Sequence, residues 1–582
     1  MKKLLAALAA LLPLACTTTM PQSTDNTQNN APAAQTAAPA TQQRLAIKED
    51  VPQRLAKLPR TVIDYDRSLL DANEQQVVAK LIEASKHIDE IYWLQVSERN
   101  PEYRGLLALQ AKNSPLDRAG YDYFMANRGR WDRLAEDEPF IAPFGTEGRK
   151  PEGAAFYPED MTKEEFERYA AAHPEQKDAL QGLFTIIRRQ GSELVAIPYS
   201  RAYYDHLTAA ATALREAAAI TNNQSMRNYL TKLSAAFFSD NYRESDMAWM
   251  DLHGPIEVVI GPYEVYEDSI FNYKASFESF VNVVDRPETE KLTVYAQHLP
   301  AMERNLPIPD QYKNPNRGTE SPIRVVQEIY TAGDARRGVQ TAAFNLPNDE
   351  YVREVKGSKK VLLKNVMDAK YRIAGHPIAL RVLDPAVREQ LSPAAFFNHI
   401  LFHELSHGVG PGMIPDPSKP GERIDTRLLL KDAYSYIEEA KADVTGVWNI
   451  LYAFDKGLLD TFNERQLFAT YAGMMFRSMR FGVEQAHGKA NAIQWNWMRE
   501  RGAFVPTSGG MFTVDYAKTR DAVRDLATEL LTIEATGDYE RAQRLLAKYG
   551  VSTPEIASVN ERLKDIPVDI TPVFTAAGET ME

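Results

Sequence analysis

The 582 residues carry 67 Lys+Arg against 79 Asp+Glu, a net charge of −12, with 44% hydrophobic and 25% charged side chains. That balance excludes an intrinsically disordered chain and speaks against a dedicated nucleic-acid binder, which would show a basic excess. A single cysteine excludes a disulfide scaffold and any cysteine-rich metal site.

In chain order, Lys2 and Lys3 precede an apolar stretch over 4–15 and then Cys16, the lone cysteine. The stretch is too short to span a bilayer and right for a secretion signal. It resembles a bacterial lipoprotein signal, in which a cysteine just after the cleavage site carries lipid. Pro13 stands where such signals place leucine, and Leu14 comes one position late. An ordinary secretion signal with a chance cysteine is the plainer alternative. Thr17, rather than aspartate, follows the cysteine and resembles outer-membrane sorting. The expectation is a signal over 1–15 and a lipid on Cys16, holding a periplasmic protein on the membrane of a Gram-negative cell. Residues 16–45 are rich in Thr, Gln, Asn, Ala and Pro and predict a flexible tether.

Apolar spacing of three and four residues predicts amphipathic helix over 71–96 and 204–238. The β-branched run over 255–266 predicts a strand, as does 339–346. From 392 to about 459 the signals are strongly helical, and the last 80 residues read as helix ending in a Pro-rich tail. The expected fold is mainly α with a smaller mixed α+β part: a mixed lobe over 46–300 and a mainly helical lobe over 301–582.

His403-Glu404-Leu405-Ser406-His407 carries the chemistry. Ser392 followed by Pro393 starts a helix, and Gly408 and Gly410 suit its end. His403 and His407, four apart, share a face and can reach one metal. Glu404, turned about 100° away, can reach a water held by that metal without ligating it. This is a zinc hydrolase arrangement. His399 precedes His403 at the same spacing, yet lies about 12 Å of helix from His407 and is expected to be a packing residue. A second helix over 431–454 carries Glu438, Glu439 and Asp443. A Glu from it completes a two-His, one-Glu set, and the other acids suit the outward ring N–H groups of the histidines.

Together with EEAKAD over 438–443, the motif resembles the dipeptidyl peptidase III family of zinc exopeptidases. The resemblance implies one zinc ion held by His403, His407 and Glu439, with Glu438 and Asp443 behind them. GPYEVYED over 261–268 resembles the family's Glu-x-Tyr-x-Asp segment; it implies that Glu264 binds the substrate amino terminus and that Tyr266 hydrogen-bonds the transition state. FNLPN over 344–348 implies that Asn345 and Asn348 hold substrate backbone. Ala486-His487 resembles the segment whose histidine, here His487, stabilises the tetrahedral intermediate. The chain departs in the plain five-residue form of the first motif, and in Asn491, where the family has arginine. A branch found in bacteria, and fused to nudix domains in plants, looks closer; no nudix signature is visible here.

The implied function is release of dipeptides from the amino ends of short peptides, by attack of a zinc-bound water activated by Glu404. The implied shape is two lobes around a cleft with zinc on the helical lobe, and peptides extended along a strand edge. A zinc aminopeptidase, a hydrolase of non-peptide amides and a non-catalytic binding lipoprotein remain alternatives, and cobalt or manganese would suit the same ligands. Short peptides are the expected partners, with no nucleic acid and membrane contact only through the lipid.

Overall fold

The computed structural model describes residues 44–314 and 323–581, so the expected signal, Cys16 and nearly all of the tether lie outside the described residues. Among the described residues no helix is long and apolar enough to cross a membrane.

The first lobe begins with strand β1 (Arg60–Ile63) and helix α1 (Ala72–Val96). Asp71 and Glu74 close the start of α1 reciprocally, each side chain accepting the other's backbone N–H at 2.8 Å. The predicted helix over 204–238 is two helices, α2 (Tyr204–Ile220) and α3 (Gln224–Ser239). The break has a local cause: Asn223 turns its side-chain oxygen to the N–H groups of Ser225 and Met226 and caps α3.

The sheet follows. Strands β2 (Ile256–Glu264) and β3 (Ser276–Val284) pair antiparallel, and helix α4 (Arg286–Arg304) separates them from β4 (Ile323–Gly333). Strand β5 (Ala343–Leu346) is shorter than the predicted 339–346; β6 (Lys359–Leu363) and helix α5 (Lys364–Lys370) come next. The order is β2-β3-β4-β6-β5, with β4 and β6 parallel and the other pairs antiparallel. β5 therefore ends the sheet and leaves one edge unpaired.

The second lobe is built on helices α6 (Pro393–Ser406), α7 (Tyr434–Asp455), α8 (Glu464–Met474), the short α9 (Phe476–Met479), α10 (Ala486–Glu500) and α11 (Tyr516–Thr536). The predicted helical run over 392–459 is interrupted by a small hairpin, Met413–Pro415 with Arg423–Asp425. The Pro-rich tail is not helical. Thr571–Phe574 forms a last strand, β7, that pairs parallel with β1. Proline lacks the N–H a helix needs, but an edge strand accommodates it.

Each lobe has its own core. Val77, Leu81, Leu207, Phe277 and Ile329 belong to the first, and Phe402, Leu405, Val447, Trp495 and Leu526 to the second. The sheet lies where they meet: on β6, Val361 and Leu363 enter the first core and Leu362 the second, as the alternation of a strand requires. The expected boundary at residue 300 falls inside α4, whose Leu292, Tyr295 and Leu299 belong to the second core. The chain then returns to the first core through β4 and β6, and again through Ile570 and Phe574.

Candidate metal centre

Helix α6 starts where Ser392 accepts the N–H of Ala395 and Pro393 takes the first helical position. It ends at Ser406, with His407 at its C-cap. Helix α7 crosses it very closely. A Cβ at Gly446 would stand 3.0 Å from the backbone nitrogen of His403 and 3.1 Å from the carbonyl carbon of Phe402. Glycine allows that approach without crowding, and the approach brings the acids of α7 to the histidines of α6.

The two imidazoles face each other with Nε2 atoms 3.1 Å apart. Glu439 Oε2 lies 3.4 Å from His403 Nε2 and 4.0 Å from His407 Nε2. These three are the cluster that could hold a metal ion among the described residues. Two donors about 2.1 Å from one tetrahedral ion stand about 3.4 Å apart, so the spacing fits. Glu439 Oε2 is buried and makes no hydrogen bond of good geometry, its nearest neighbour outside the triad being His487 Nδ1 at 3.1 Å; an ion would satisfy it.

The outer ring nitrogens are fixed. His403 Nδ1 is 2.7 Å from Asp443 Oδ1, and His407 Nδ1 is 2.8 Å from Glu438 Oε1. Each carboxylate accepts the Nδ1 proton and turns the Nε2 lone pair inward. Burial alone would push the His403 pKa down; the Asp443 carboxylate outweighs it and lifts the value to about 9. Burial likewise pushes the Asp443 and Glu438 carboxyls up, but His403 and Lys441 hold them well below the usual range. A divalent ion would compete with that proton for the same nitrogens.

Several supporting residues carried no sequence signal. Gln494 donates to Asp443 Oδ2 at 2.9 Å and is itself held by Tyr471 at 2.6 Å. Lys441 donates to Glu438 at 2.9 Å and to the carbonyls of Ser406 and Val409 at 3.2 Å, tying α7 to the end of α6. Its position three residues after Glu438 was the one available hint. Lys360, on β6, reaches the backbone oxygen of Glu404 at 3.1 Å and its carboxylate at 3.4 Å.

Glu404 and His403 lie in the wall of a cavity of about 420 Å³. His487, at the start of α10, places Nδ1 3.1 Å from Glu439 Oε2 and is largely exposed. His399 stands outside the ligand triad, half-buried edge-on against Tyr471 with Nε2 3.9 Å from Asp443 Oδ1. Asn345 faces solvent on the free edge of β5, opposite Lys360, and Asn348 donates to the Tyr263 carbonyl at 3.1 Å. Tyr266 and Glu264 are not brought to the cluster. No hydrogen bond or ion pair among the described residues joins them to it; Tyr266 is 68% exposed, and Glu264 feels Asp334 and Arg337 instead. Glu264 ends β2 and Tyr266 follows it in the next loop, both on the sheet lobe.

Two inward-facing histidines and a carboxylate, with a further glutamate at a cavity wall, define a metal-dependent hydrolase. The comparisons identify it further. The profile described as peptidase family M49 matches residues 157–423, which include His403, Glu404 and His407. The chain is 37% identical to Nudix hydrolase 3 of Arabidopsis thaliana, over 91% of this chain and 74% of that protein. The structure of DPP III from Caldithrix abyssi superposes with a TM-score of 0.85 at 48% identity, covering 90% of this chain and 98% of that one. Dipeptidyl-peptidase III from Corallococcus sp. strain EGB gives 0.72 at 40% identity, covering 91% and 97%. The chain belongs to the dipeptidyl peptidase III family, peptidase family M49. It is a metallopeptidase of the dipeptidyl peptidase kind, and the family implies a divalent metal.

Proposed function

We propose that the protein removes dipeptides from the amino ends of short peptides, with one zinc ion held by His403, His407 and Glu439. The observation that carries this reading is the convergence of those three donors beside Glu404, at a cavity next to a free strand edge. The ion supplies Lewis acidity: it makes water acidic near neutral pH and polarises a carbonyl oxygen.

The chain's own residues do the rest. The edge of β5 takes the peptide as an added strand, with Asn345 and Asn348 on its backbone. Glu264, beside Asp334 and Glu278, takes the substrate's α-ammonium. Glu404, oriented by Lys360, accepts the proton of the attacking water and returns one to the leaving amine. His487 donates to the developing oxyanion, and Tyr266 joins it only when the sheet lobe closes on the bound peptide; one such donor is worth about 3 kcal/mol.

The test is product length. The zinc-loaded protein is incubated with unblocked peptides of four to eight residues and the products are weighed by mass spectrometry. Dipeptides from the amino end support the reading. Single amino acids would overturn the dipeptide rule and leave an aminopeptidase. For location, the proposal is a lipid on Cys16 that holds the enzyme at the periplasmic face of the outer membrane, and the support is the sequence of residues 1–17. Cys16→Ala should move it from the membrane fraction to the soluble periplasm; an unchanged membrane fraction would refute the anchor.

A further inference from the structure

The cavity beside the metal cluster is lined by one arginine that the mechanism does not use. Arg477, on α9, lines it together with Ser478, Gln485, His487 and Asn491. Its side chain is half-buried, and its guanidinium makes no hydrogen bond and no ion pair among the described residues.

The carboxylates of the same wall are all engaged. Asp443 serves His403 and Gln494, and Glu404 faces Lys360. Asp569 is taken by Lys370 at 2.7 Å and by the backbone N–H of Gln340 at 3.1 Å. Asp569 and Asp443 reach Arg477 only through longer-range attraction, while burial works against its charge. Arg480 lies close enough to add to the positive field, and its own guanidinium is occupied by the carbonyls of Ile566 and Val568 at 3.3 Å. Asn491 cannot neutralise the site, since its amide donates to the His487 carbonyl at 3.0 Å.

Desolvating a cation without a partner is costly, and five fixed donors in a planar fork match a carboxylate. Which carboxylate follows from polarity. On the functional reading above, on which this step rests, the amino end of the peptide lies with Glu264 on the sheet lobe. Arg477 lies in the helical lobe, in the same cavity wall as His403 and Glu404, and Glu264 is not part of that wall. We propose that Arg477 binds the α-carboxylate of the substrate, on the leaving side of the scissile bond, and so makes the enzyme selective for very short peptides with a free carboxyl end. A cavity of about 420 Å³ leaves room for only a few residues beyond the cut.

The experiment compares kcat/KM for tetrapeptides as free acids and as carboxyl-terminal amides, in the wild type, Arg477→Gln and Arg477→Lys. A dipeptidyl arylamide, which has no carboxylate, is measured in parallel. The wild type should prefer the acid by about tenfold or more, chiefly through KM. The preference should fall towards one in Arg477→Gln and survive in part in Arg477→Lys. A wild-type ratio near one, or a preference that persists in Arg477→Gln, overturns the proposal alone. An amidated tetrapeptide with glutamate at its third or fourth position that regains the free-acid rate assigns Arg477 to a side chain and overturns the α-carboxylate. No wild-type hydrolysis of any peptide or of the arylamide overturns the peptidase reading, and this step with it.

Discussion

His403 Nδ1 and Asp443 Oδ1 meet at 2.7 Å, and through this bond a side chain of α7 sets the direction of a ring on α6. Asp443 is held in turn by Gln494, so the imidazole is aimed through two links. Asp443→Asn removes the charge and leaves the shape. Loss of such a partner typically costs 10–100-fold in metal affinity. Titration of the metal-free variant against a chelator of known strength should show that drop. Equal affinity in wild type and variant would mean that His403 is positioned by packing alone.

Glu404 is separated from the donors by its place on the helix, so its removal should spare the metal. Glu404→Gln is expected to keep one zinc per chain by elemental analysis and to lose turnover by about 10²–10⁴-fold, the range for general acid–base groups. Full activity in the zinc-loaded variant would eliminate it as the base.

Gly446 makes the site through what it lacks. A methyl there would press on backbone atoms of Phe402 and His403 that have no side-chain freedom to yield. Gly446→Ala should therefore part α6 from α7. Overpacking of this kind costs about 1–3 kcal/mol. The expected outcome is a lower urea midpoint together with weaker metal binding, because His403 sits on one helix and Glu439 on the other. A stability loss with unchanged metal affinity would show that the cluster tolerates the displacement.

The contrast between local and distant causes decides what the sequence could reveal. Ser392 with Pro393, and His403 with His407, act within a few residues along one helix, and each was legible as spacing. The break at Asn223 was equally local but hidden inside an unbroken apolar rhythm. Lys360, on β6, reaches Glu404, on α6, across 44 residues of chain, and a juxtaposition of that kind leaves no trace in either segment. β7 finds β1 across the length of the chain, so its residues read only as a Pro-rich tail. The resemblance set Tyr266 and Glu264 at one site with the histidines; their separation is a matter of how two lobes stand, which no motif encodes.

Glu328 lies almost fully buried in β4, and its burial, only partly offset by Arg336 and Lys370, pushes its pKa up to about 8. The folded protein therefore holds a proton on this group at pH values where the unfolded chain, with an ordinary value near 4.5, has lost it. Between those limits the folded state binds more protons, so stability falls as pH rises. The contribution is complete below about pH 4.5 and is lost as pH passes through about 8, at roughly 1.4 kcal/mol per unit for a single group. Glu328→Gln keeps the neutral shape at every pH. Urea midpoints measured from pH 5 to 9 should diverge in favour of the variant as pH rises, and the gap should level off above pH 8. Parallel curves for the two proteins would mean that Glu328 is ionised in the fold and paired with Arg336 or Lys370.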